Sequence, residues 1–122
     1  MAKKILVVDD EPEIREGILE RLKACGFEVV TAENGKKGVE KARTERPDLV
    51  LMDLIMPVLD GFQAADTLKK DEATRGIPVI MLTLRAQADD VAMAHACGAV
   101  DYIVKPYSPA ALIEKVNRAL KI

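Results

Sequence analysis

A chain of 122 residues has the length of one domain, and with 49% apolar residues it can bury a core without disulfides to staple it. Its 18 Lys and Arg against 20 Asp and Glu leave a net charge of −2. That balance excludes a dedicated nucleic-acid or polybasic membrane binder, which needs a clear positive excess. The apolar runs stop at four to five residues, far short of the roughly 20 that span a bilayer, and no h-region marks a signal peptide. Cys25 and Cys97 lie far apart without CxxC spacing, so a reduced, cytoplasmic protein is expected, with both thiols filling space as small apolar groups.

In chain order, short apolar runs alternate with amphipathic stretches. Ile5 to Val8 is the first run, closed by Asp9 and Asp10. Ile14, Ile18 and Leu22 then recur at helical spacing, with Pro12 inside the first turn and Gly26 as a stop. Glu28 to Ala32 is a weaker strand pattern that ends before the turn signal Asn34-Gly35, and 35–46 is helical by propensity. Leu49 to Met52 is the third run. Phe62, Ala65 and Leu68 share one face of a third helix. Val79 to Leu82 follows Pro78, an Ala-rich helix is expected over 86–97, and Tyr102 to Val104 stops at Lys105-Pro106. Leu112, Val116 and Leu120 share a face of the last helix, which Pro109 opens.

Continuous apolar runs of this length suit strands buried on both faces. Five βα units therefore predict an α/β fold, a doubly wound (βα)5 parallel sheet, for which the flavodoxin-like order 2-1-3-4-5 is one of the two common solutions and the one that makes the first and third strands neighbours. In such sheets ligands bind beyond the carboxyl ends of the strands, near the point where the winding reverses. Asp9 and Asp10 follow the first run, Asp53 the third, Thr83 the fourth and Lys105 the fifth. Taken singly, each has a plainer use: Asp10 with Glu13 makes a helix N-terminal box, Asp53 a turn, Thr83 a cap and Lys105 a solvated strand end. Taken together, all five fall at one edge of the sheet. Three carboxylates in one cleft call for a cation, hard oxygen ligands suit Mg²⁺, and a Lys beside a hydroxyl suits phosphate oxygens. Aspartate is itself a nucleophile towards phosphoryl groups.

At these residues the chain resembles the receiver domains of two-component response regulators, the CheY-like superfamily. The resemblance is carried by Lys4 to Pro12, Asp48 to Gly61 (DLVLMDLIMPVLDG), Pro78 to Thr83 (PVIMLT) and Gly98 to Pro106 (GAVDYIVKP), and covers essentially all of residues 1–122. It implies that Asp53 accepts a phosphoryl group from a histidine kinase, a histidine phosphotransfer protein or a small phosphodonor. Asp9, Asp10, Asp53 and the backbone carbonyl of Ile55 would hold Mg²⁺ or Mn²⁺. Lys105 and Thr83 would bind phosphate oxygens, Tyr102 would be the switch aromatic, and Pro106 would follow a cis peptide bond. Partners would read the face made by the fourth predicted helix, the fifth strand and the fifth predicted helix, near residues 86–118. The chain would be a regulatory phospho-acceptor, one receiver domain without an effector, and not an enzyme in its own right.

Other readings fit less well. A Mg²⁺-dependent phosphatase of the haloacid-dehalogenase type needs a second Asp two residues after the nucleophile, where this chain has Ile55. An FMN-binding flavodoxin needs Ser, Thr and Gly amides in the first loop, where this chain has Asp9-Asp10-Glu11. A phosphorylation-independent interaction module remains the main alternative. His95 reads as a solvated or partner-facing side chain, and Lys36, Lys37, Glu40 and Lys41 as a solvated helix face.

Leu84 stands where receivers usually carry a small residue, and Arg85 and Ile55 flank positions that tune dephosphorylation. Leu84 and Ile55 are expected to crowd the phosphoryl group and exclude attacking water, while Arg85 reaches the phosphate or a partner. Leu84→Ala and Ile55→Asn should then lose an aspartyl phosphate faster than the parent. Unchanged autodephosphorylation rates in both variants would refute the shielding.

Overall fold

The structure, a computed structural model, describes residues 2–53, 61–83, 98–104 and 107–122. The five expected strands form: β1 (Lys4–Val8), β2 (Glu28–Ala32), β3 (Leu49–Asp53), β4 (Val79–Thr83) and β5 (Asp101–Val104). They make one sheet in the order β2-β1-β3-β4-β5, every neighbouring pair parallel. Four helices are found among the described residues: α1 (Pro12–Ala24), α2 (Gly35–Glu45), α3 (Gly61–Lys70) and the C-terminal α4 (Pro109–Leu120). The helix expected over 86–97, with His95 and Cys97, lies outside the described residues.

The apolar runs belong to the sheet interior because both faces are covered. Leu6, Val8, Val50, Met52, Val79 and Met81 pack with Val39, Ala42, Ala64, Ala65 and Leu68 from α2 and α3. Their alternates Ile5, Val7, Leu49, Leu51, Ile80 and Leu82 pack with Ile18, Leu22, Leu112 and Val116 from α1 and α4. Side chains alternate across a strand, so an unbroken apolar run feeds two cores at once. At the edge, β2 is only half-buried, which is why its run reads weaker than those of the central strands.

Helix ends follow local chemistry, with three departures from expectation. Pro12 occupies the first turn of α1, but the N-cap is Glu11, whose side chain makes no capping bond. The Asp10–Glu13 box therefore does not form. The Glu11 N–H donates instead to Asp9 Oδ1 at 2.9 Å, which commits the Asp9 carboxylate to the start of α1. Asn34, read as a turn residue, is the N-cap of α2 and accepts from the Lys37 N–H at 2.8 Å. Cys25 caps the end of α1 with Gly26 following at φ +90°, and its thiol is exposed rather than packed. Ser108 caps α4 ahead of Pro109, accepting from the Ala111 N–H.

Helix α2 lies so close to β1 that a Cβ built on Gly38 would sit 2.8 Å from Val8 Cγ2. Val8 is fully buried and immediately precedes Asp9, so it has little room to yield. Gly38→Ala should lose about 1–2 kcal/mol in denaturant unfolding, overpacking outweighing the helix-propensity gain. The same change at Gly17 of α1, which has nothing within 4 Å, should gain up to about 1 kcal/mol.

Candidate functional site

The chain winds from β1 outward to β2, then returns across β1 to β3, so the winding reverses between β1 and β3. That is where an open parallel sheet leaves a crevice at the carboxyl ends of its strands. Val8 pairs in register with Met52, which sets Asp9 and Asp10 beside Asp53. One carboxylate oxygen from each of Asp9, Asp10 and Asp53 lies within 4.8 Å of the others. Asp9 is fully buried and Asp53 is 6% exposed, while Asp10 is more open to solvent.

Asp9 is held on three sides. Its N–H donates to the Ala32 carbonyl at 3.2 Å, Oδ1 accepts the Glu11 N–H, and its own carbonyl accepts Arg15 Nη1 at 2.8 Å. The two backbone groups and the carboxylate are thereby each fixed by a different element: the N–H by β2, the carboxylate by the turn into α1, and the carbonyl by α1 itself. Arg15 is a member of this assembly that periodicity does not single out, because its role depends on a backbone carbonyl six residues away.

Two unit charges about 5 Å apart repel by about 3 kcal/mol at an effective dielectric of about 20. Three carboxylates so arranged attract a cation, and an all-oxygen donor set of which Asp10 is the most open to solvent fits a hard divalent ion such as Mg²⁺. The field reaches Tyr107, half-buried against the α1–α4 side of the sheet. Burial, followed by the Asp9 charge, pushes its hydroxyl up to about 12. The stabilisation that accompanies the neutral phenol is complete below the ordinary tyrosine value of about 10 and is lost as the pH rises through about 12.

The remaining expected residues divide in two. Thr83 ends β4 in register with Val104, the last described residue of β5, so both strands terminate at the edge that carries the aspartates. Tyr102 lies on β5, half-buried against the α2–α3 side. The Thr83 side chain, Ile55, Leu84, Arg85, Lys105 and Pro106 lie outside the described residues. Lys37 and Lys41 are exposed as expected, yet Lys37 pairs with Glu33 and Lys41 bonds the Thr31 carbonyl, so this helix face is tied back to β2. The Lys37 bond pulls the Glu33 carboxyl below its usual range.

Residues 5–117 match the response regulator receiver domain family. The chain belongs to that family. It is 44% identical to protein PilH of Pseudomonas aeruginosa over 117 residues, 96% of this chain and 97% of PilH. It is 40% identical to the phosphate regulon transcriptional regulatory protein PhoB of the same organism, covering 99% of this chain but 53% of that regulator. Among solved structures, the receiver domain of the Pseudomonas aeruginosa sensor histidine kinase PA1611 superposes with a TM-score of 0.92 at 32% identity, each chain fully covered. That structure has a magnesium ion coordinated in its active-site cleft. The receiver is thus a regulatory signalling domain rather than a classical enzyme. Membership sets aside the phosphatase and flavodoxin readings and disfavours the phosphorylation-independent module.

Asp10→Asn should raise the melting temperature of this receiver in the presence of a chelator, because it removes one repelling charge. Saturating Mg²⁺ should stabilise the parent, by about 2.7 kcal/mol at a hundredfold excess over Kd, and should stabilise the variant much less.

Proposed function

We propose that Asp53 is the phospho-acceptor of this receiver, in a reaction that depends on Mg²⁺ or Mn²⁺ held by Asp9, Asp10, Asp53 and the Ile55 carbonyl. The observation that carries the proposal is the convergence of the three carboxylates at the β1–β3 switch point. An Asp53 oxygen attacks the phosphorus and forms an acyl phosphate. The bond to the donor, P–N in a phosphohistidine or P–O in acetyl phosphate, breaks as the leaving group takes its electron pair. In-line phosphoryl transfer demands mainly positioning and charge neutralisation. Asp9, pinned on three sides, and Asp10 supply the first; the bound cation, with the Lys105 ammonium, supplies the second.

The aspartyl phosphate adds charge and acceptor oxygens beside Thr83 and Lys105. Contacts of the Thr83 hydroxyl and Lys105 with that phosphate exist in one loop arrangement only, and such differential contacts are what shift a conformational equilibrium. Tyr102 turns with that shift, and residues 86–118 carry the readout to a downstream protein target or effector. The donor is a sensor histidine kinase or a histidine phosphotransfer protein. Residues 1–122 are read as one receiver domain, with the peptide bond before Pro106 cis and Leu84 and Arg85 tuning the lifetime of the phosphate. The exposed, free Cys25 suits the reducing cytoplasm, and among the described residues no helix is long and apolar enough to cross a membrane.

Incubation with Mg²⁺ and acetyl phosphate should add one phosphoryl group to the intact mass. The adduct should vanish in Asp53→Asn and without divalent cation. An adduct that persists in Asp53→Asn would place the acceptor elsewhere, and no adduct with either acetyl phosphate or phosphoramidate would favour the interaction-module alternative.

A further inference from the structure

β5 is an edge strand, and its backbone at Tyr102 is met by two side chains. The Tyr102 N–H donates to Asp101 Oδ1 at 2.8 Å, and the Tyr102 carbonyl accepts Lys115 Nζ from α4 at 2.7 Å. Lys115 Nζ also pairs with Asp101 Oδ1 at 3.0 Å and stands 5.0 Å from the centroid of the Tyr102 ring. One ammonium thus bonds the backbone, the neighbouring carboxylate and the aromatic face of a single strand position. The lysine side chain is 30% exposed and the aspartate 22%, so the contact is partly shielded from solvent.

We propose that Lys115 is a positioning residue for Tyr102, a clasp that holds the ring in the orientation seen in this structure, against the one the ring takes on phosphorylation, while covering the backbone of β5 at this position. The hydrogen bonds fix the backbone and survive any turn of the side chain. The cation–π contact depends on where the ring points and is lost when the ring turns away. Lys115 therefore weights the two ring orientations unequally, which is the condition for biasing a conformational equilibrium. A lysine over the backbone of an edge strand also deters pairing with a foreign strand. The proposal rests on the reading of Tyr102 as the switch aromatic, but its first test does not use phosphorylation.

The experiment is ¹⁹F NMR of the full chain carrying 3-fluorotyrosine at its two tyrosines, with the Tyr102 resonance assigned through Tyr102→Phe. Lys115→Met should shift or broaden the Tyr102 resonance and leave that of Tyr107 in place, and Lys115→Arg should restore it. Asp101→Asn, which breaks the ion pair but leaves the cation over the ring, should perturb Tyr102 less. An unchanged Tyr102 resonance in Lys115→Met, failure of Lys115→Arg to restore it, or an equal effect of Asp101→Asn would each overturn the clasp. Labelling of Lys115→Met by acetyl phosphate should run about two- to fivefold faster than in the parent, the range expected for one partly exposed cation–π contact. A shifted resonance with an unchanged labelling rate would overturn the link to switching. No labelling in any variant would count against Asp53 as acceptor while the resonances still decide the clasp.

Discussion

Mutual repulsion among Asp9, Asp10 and Asp53 is the constraint around which the rest of this receiver is arranged. Two of the three carboxylates are buried and all three present an oxygen within 4.8 Å of the others, a configuration that a folded chain sustains only at a cost. The parallel topology imposes it. Once β1 and β3 are neighbours in register, residues following Val8 and Met52 cannot avoid one another. A cation would offset the repulsion, and under the proposed function the same concentration of negative charge would make a phosphoryl donor's approach conditional on that cation.

The structure around the aspartates resists relaxation of that repulsion. Asp9 cannot swing away without breaking bonds to β2, to the turn and to α1. Behind it, Val8 is buried against Gly38, where α2 approaches too closely for any side chain. On the other side of the sheet, Tyr107 sits near enough to feel the Asp9 charge. Close packing and a pinned backbone turn the pocket into a fixed charge distribution, so under the proposed function charge added there would be answered by rearrangement elsewhere. The edge strand β5, with Tyr102 under Lys115, is where the described part of the molecule is best placed to respond.

Most of the framework was legible because central strands of a parallel sheet carry no polar alternation. The runs beginning at Ile5, Leu49 and Val79 could be buried only between two helical layers; topology rules left two common strand orders for five such runs, and the resemblance to receiver domains selected between them. The aspartates were legible for the same reason, as polar residues that end apolar runs. Features governed by single contacts were not. Asp10 and Glu13 have the spacing of a capping box, yet the Asp9 carboxylate takes the Glu11 N–H instead. Cys25 before Gly26 reads as a small apolar filler, but the helix end it occupies faces solvent. Arg15 and Lys115 act on backbone carbonyls of Asp9 and Tyr102, and a bond to a carbonyl leaves no trace in residue type or period.

If the three aspartates are one divalent-cation site, Mn²⁺ binds between them. Anomalous diffraction at the manganese edge, from crystals of the unphosphorylated protein soaked in Mn²⁺, tests it most directly. One strong peak within coordination distance of carboxylate oxygens of Asp9, Asp10 and Asp53, absent in Asp53→Asn, is the predicted result. A soaked crystal with no peak between these carboxylates, or with its peak at other acidic residues, would contradict the account.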